Sequence, residues 1–129
     1  MPRQPLIEPR TILIVEDDED ARDLLKQILS AKGYNAAVAA DGAEALDYLR
    51  RSYDEVSLIL LDLMMPKMNG WEFRAAQLED ERLKAIPVVV LTADARASAK
   101  AQEVSATGYV AKPVLFPKLM EVIEKVGRP

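Results

Sequence analysis

Three short stretches of this chain have no polar face. TILIVE (11–16), VSLILL (56–61) and IPVVVLT (86–92) are apolar runs that stop at charged or hydroxyl residues. A strand with one solvated face alternates apolar and polar residues, so a run that is apolar on both sides must be covered on both sides. Short runs of this kind between helical patterns are what a parallel sheet sandwiched by helices requires.

The intervening segments supply those helices. Residues 19–32 show helical spacing through Leu24, Leu25, Ile28 and Leu29, closed by Gly33. Residues 42–51 place Ala45, Leu46 and Leu49 on one side, and 70–82 run less regularly through Trp71, Phe73 and Leu78. Residues 95–105 are alanine-rich, and 115–126 are amphipathic through Leu115, Leu119, Val122, Ile123 and Val126. YNAAVAA (34–40) and TGYVAK (107–112) read as two weaker strands. Five strands alternate with five helices, which predicts an open, doubly wound five-stranded parallel α/β sheet. One domain is expected over 11–126, with a flexible tail at 1–10 carrying Pro2, Pro5 and Pro9, and a short tail at 127–129.

Composition then narrows the chemistry. The 129 residues contain no cysteine and no histidine, which removes disulfides, thiolate sites and the commonest general base. Any metal is left to oxygen ligands, hence Mg²⁺, Mn²⁺ or Ca²⁺. Residues 1–94 hold 11 Lys/Arg against 18 Asp/Glu, and residues 95–129 hold 6 against 3. So acidic a body disfavours nucleic acid as a partner. No apolar run approaches a membrane span and no secretory signal opens the chain, so a cytoplasmic protein is the expectation.

In a parallel sheet all strands end on one edge, and ligands sit outside those ends. EDDED (16–20) follows the first strand, Asp62 ends the third, Thr92 the fourth and Lys112 the fifth. Asp17, Asp18, Asp62, Thr92 and Lys112 are therefore expected to converge. Taken singly, each has an ordinary reading as a helix cap, a turn residue or a solvated surface group. Their joint placement at strand ends is what points to a site. Clustered carboxylates repel, and a divalent cation with the Lys112 ammonium is the natural compensation. Mg²⁺ is the expected ion, Mn²⁺ the other candidate, and the Met64 backbone carbonyl a further ligand. Asp62 is then placed as a nucleophile able to form an aspartyl phosphate.

VEDDED, DLMMPKMNG, LTA and AKP occur in that order over about 11–126. In this the chain resembles the response-regulator receiver domains, the CheY-like family of two-component signalling. DLMMPKMNG is similar to the family's D-x-x-M-P-x-M-[DN]-G segment, and AADGAEAL (39–46) looks like its second helix start. The resemblance implies a flavodoxin-like (βα)5 fold with strand order 2-1-3-4-5. It assigns Asp62 as phosphoacceptor, Asp17 and Asp18 as the metal-site acids, and Thr92 and Lys112 as catalytic groups. Thr92 and Tyr109 become the switch pair, and the bond before Pro113 is expected to be cis.

The implied partners are a histidine kinase or histidine phosphotransfer protein as donor and a further protein as target. The chain itself is expected to be no enzyme, but an acceptor that assists its own phosphorylation and dephosphorylation. It is expected to be a monomer, with dimerisation on phosphorylation open, and its short tails favour a stand-alone receiver over a piece of a longer regulator. Ser105 and Ala106 stand where the family commonly has Gly-Ala, and Met64 and Asp94 occupy variable positions flanking the site. Two other classes compete: a constitutive binding module of the same fold, and a haloacid-dehalogenase-type phosphatase. The second wants an acid where Met64 stands. The glycines form no G-x-G-x-x-G.

Overall fold

A computed structural model describes residues 11–65 and 67–126. The expected tails at 1–10 and 127–129 lie outside the described residues. Strands β1 (Thr11–Val15), β2 (Asn35–Ala39), β3 (Val56–Asp62), β4 (Val88–Thr92) and β5 (Gly108–Ala111) alternate with helices α1 (Glu19–Ala31), α2 (Gly42–Ser52), α3 (Gly70–Glu79), α4 (Ala97–Glu103) and α5 (Phe116–Val126). A 3₁₀ turn, Tyr53–Glu55, joins α2 to β3. The sheet is parallel, in the order β2-β1-β3-β4-β5. This is the doubly wound fold the apolar runs predict.

The two-residue period of a strand divides each apolar run between two cores. Leu13, Val15, Ile59, Leu61, Val88 and Val90 pack with Leu46, Leu49, Phe73 and Ala101 from α2, α3 and α4. Ile12, Ile14, Leu58, Leu60, Val89 and Leu91 pack with Leu25, Leu29, Leu119 and Ile123 from α1 and α5. Three expected core residues lie outside: Leu24 is 50%, Leu78 44% and Leu115 66% exposed.

Element ends follow local chemistry. Asp18 caps α1 by accepting from Asp20 N, and Asp41 caps α2 by accepting from Glu44 N. Asn69 and Glu72 form a reciprocal capping box on α3, at 2.9 Å each way. Helix α3 stops at Glu79, short of the expected 82. Beyond it the chain turns so that Leu83 O and Ile86 O accept from the buried Gln77 amide at 2.9 and 3.0 Å. Strand β4 starts at Val88 rather than 86, because Pro87 has no N–H to donate and only its carbonyl joins the ladder, accepting from Ile59 N at 3.0 Å. Helix α4 covers 97–103 instead of 95–105.

Candidate functional site

The register lines up the carboxyl ends of the strands. Val15 pairs with Leu61, Asp62 with Leu91, and Thr92 with Ala111, the residue before Lys112. The β1–β2 ladder runs one residue past β1, since Glu16 N donates to Ala39 O at 3.1 Å. Asp62, Thr92 and Glu16 are all buried, at 5%, 4% and 1% exposure.

At this edge Lys112 Nζ donates to Glu16 Oε1 at 2.8 Å and pairs with Asp62 Oδ2 at 3.5 Å. Glu16 Oε2 accepts from Asp18 N at 3.1 Å, and Asp62 Oδ1 accepts from Met64 N at 3.1 Å. Glu16, Asp17 and Asp62 each bring one carboxylate oxygen within 4.8 Å of the other two.

Burial, and then the Glu16 charge, push the Asp62 carboxyl up to about 7; Lys112 and the Met64 N–H act against them without cancelling them. For Lys112, burial favours the neutral amine, but the Glu16 hydrogen bond and the Asp62 charge more than offset it, so its value rises. Lys112 thus pairs with two of the three clustered carboxylates. An all-oxygen cluster with surplus negative charge, open on the exposed Asp17 side, suits a hard divalent cation.

Residues 12–124 match the family model of the response regulator receiver domain. The chain belongs to that family. The polar-differentiation response regulator DivK of Brucella anthropi is 31% identical over 118 residues, 90% of this chain and 94% of that protein. Among solved structures, the chemotaxis protein CheY4 of Vibrio cholerae superposes with a TM-score of 0.83 at 29% identity, covering 92% of this chain and 99% of that one. The response regulator TrrA of Thermotoga maritima, solved in complex with Mg(2+)-BeF, gives 0.79 at 30% identity, with 91% and 98% covered.

Most of the residues expected at this receiver's site meet there, with one replacement. Asp62, Asp17 and Lys112 come together as expected. Asp18 does not join the acidic cluster: its carboxylate turns to Asp20 N, at 3.1 Å, as the cap of α1. Glu16 takes the place given to it. The signal was available, because Glu16 is the first residue after β1 and continues the Ile12, Ile14 face of the strand.

Thr92 ends β4 as expected, and its Oγ1 accepts from Asp94 N at 3.1 Å. Asp94 is itself engaged, accepting from Arg96 N at 2.7 Å, and that hydrogen bond holds its carboxyl below the usual carboxylate range. Met64 is 69% exposed, and Tyr109 is 41% exposed on β5. The Lys112–Pro113 peptide bond is cis. Beside Lys112 an apolar groove runs between Ala21, Leu24 and Ile28 of α1 and Pro113, Val114 and Phe116. Among the described residues no helix is long and apolar enough to cross a membrane.

Proposed function

We propose that this receiver accepts a phosphoryl group on Asp62 from a phosphohistidine of a histidine kinase or histidine phosphotransfer protein. The observation that carries this reading is the buried Asp62 carboxylate at the end of β3, clustered with Glu16 and Asp17 and paired with Lys112, which also bonds Glu16. An Asp62 oxygen forms the new O–P bond as the donor's N–P bond breaks, and the imidazole nitrogen left behind takes a proton. Lys112 lies against Asp62 and balances charge on the incoming group. Thr92, whose hydroxyl oxygen now accepts from Asp94 N, turns its hydrogen toward a phosphoryl oxygen. Tyr109 moves inward from its exposed position, and the face formed by α4, β5 and α5 changes for a protein partner.

Glu16, Asp17 and Asp62, with the Met64 carbonyl, are the groups to hold Mg²⁺, or Mn²⁺ in its place. A divalent cation held there supplies charge neutralisation and a template for phosphoryl oxygens. The chain is an acceptor acting on itself, not an enzyme with a separate substrate. The apolar groove with its exposed Leu24 and Phe116 offers the donor a platform next to Asp62.

The test is intact-mass measurement after incubation with acetyl phosphate and Mg²⁺, with Asp62→Asn and EDTA samples alongside. One phosphoryl adduct, lost in both controls, is the expected result. A folded, Mg²⁺-binding protein that gains no mass would instead identify a constitutive binding module.

A further inference from the structure

Two of the three clustered carboxylates are consecutive residues, which is geometrically awkward. Successive side chains of a strand point to opposite faces. For Glu16 and Asp17 both to bring an oxygen within 4.8 Å of Asp62, the chain must leave strand geometry between them and keep that turn. Part of the turn is held from within: Glu16 Oε2 accepts from Asp18 N, and Asp18 caps α1.

The rest is held by a side chain one turn into α1. Arg22 Nη1 donates to Glu16 O at 3.1 Å and reaches Asp17 O at 3.5 Å. Arg22 is also unusual where it stands. A cation near a helix N-terminus opposes the helix dipole, and the first turn of α1 otherwise carries Glu19 and Asp20. An arginine there is favoured only if contacts outside the helix repay it. The contacts Arg22 makes go to the two carbonyls that set the direction of the acid pair.

We infer that Arg22 is a positioning residue for the metal site, acting through the main chain of Glu16 and Asp17 rather than on the phosphoryl group. This inference rests on the proposed Mg²⁺ site. A side chain that orients the main chain of the metal's ligands acts on metal affinity. Arg22 therefore governs how tightly Mg²⁺ is held, and not how fast Asp62 reacts once the site is filled.

The experiment is calorimetric titration of Mg²⁺ alone into parent, Arg22→Ala and Arg22→Gln, with acetyl phosphate labelling over a range of Mg²⁺ concentrations. Arg22→Gln keeps an N–H donor and covers the case in which Arg22→Ala does not fold. The expected result is Mg²⁺ affinity weakened about ten-fold in Arg22→Ala and less in Arg22→Gln. Labelling rates should return to within about two-fold of parent at saturating Mg²⁺. Unchanged affinity overturns the inference. So does a rate that stays low at saturation, which would put Arg22 on the donor or the phosphoryl group. A parent that binds no Mg²⁺ overturns the proposed function along with it, whereas a binding parent with an unaffected Arg22→Ala overturns this inference alone.

Discussion

Lys112 Nζ is closer to Glu16 than to Asp62, at 2.8 Å against 3.5 Å. The lysine is thus mainly the partner of Glu16, and Asp62 is the less compensated carboxylate. Its value of about 7 is the electrostatic consequence of that geometry together with burial.

The first prediction concerns pH. In the unfolded chain Asp62 titrates near the ordinary aspartate value of 3.8, and in the fold near 7. Between those values the folded state binds more protons than the unfolded state, so stability falls as pH rises through this window and is level above it. Asp62→Asn removes this contribution. Melting curves in EDTA at about pH 5 and pH 8 should show the parent losing stability relative to the variant, and Mg²⁺ should restore the parent at the higher pH. Parallel pH profiles for the two proteins would show that Asp62 carries no such charge penalty.

Lys112→Met tests the other half of the same pair. It leaves Glu16 and Asp62 buried with no cation, a situation that costs about 3 kcal/mol. Most of that loss should be recovered in Lys112→Met/Glu16→Gln, because the cost lies in the orphaned charge and not in the lost packing. Urea denaturation at neutral pH reads both numbers. Equal destabilisation in the single and double variants would place the lysine's contribution in its methylene stem.

Arg74 is also buried, on α3. Arg74 Nε and Nη2 donate to Val104 O and Ser105 O at 2.8 Å each, and Nη1 donates to Gln77 Oε1 at 2.7 Å. Ser105 sits at φ +55°, a left-handed conformation that glycine adopts without strain. The arginine anchors that corner from α3. Arg74→Met should therefore cost about 3 kcal/mol, since two carbonyls and an amide oxygen lose their donor. Ser105→Gly is expected to gain up to about 1 kcal/mol from relief of the left-handed strain. Equilibrium unfolding of the two variants measures this, and a stabilised Arg74→Met would refute it.

The fold was legible because its sheet is made of runs such as ILIV and VVVL, whose pattern admits only burial on both faces. The active edge was legible because topology sends every strand end there, whichever helices intervene. Two features were hidden, for different reasons. In a run of five acids the side-chain directions depend on where the strand stops, so Glu16 emerges over Asp18 only when the Ile12, Ile14 face is followed past the end of β1. Helix α3 looked irregular because part of its buried face is polar: Arg74 and Gln77 lie inside beside Phe73. Their partners are carbonyls 6 to 31 residues away, which no local period reveals.

The loop that follows Asp62 is packed tightly against the start of α3. Gly70 opens α3, and its N–H donates to Leu63 O at 2.9 Å. A Cβ placed on Gly70 would lie 2.6 Å from Leu63 Cα and 3.0 Å from Asp62 O. Both are backbone atoms, so no side chain can swing aside, and the strain must move either the helix or the end of β3. Gly70→Ala should lower stability by about 2–3 kcal/mol, as overpacking in a tight contact does. It should also slow acetyl phosphate labelling even at saturating Mg²⁺, because the displaced atoms belong to Asp62 and Leu63 themselves. Gly108→Ala is the control, since the same Cβ there meets only Val122 Cγ1 at 3.5 Å, Val126 Cγ2 at 3.7 Å and Val89 Cγ2 at 3.9 Å. A Gly70→Ala protein that melts and labels like the parent would show that the loop can yield without disturbing Asp62.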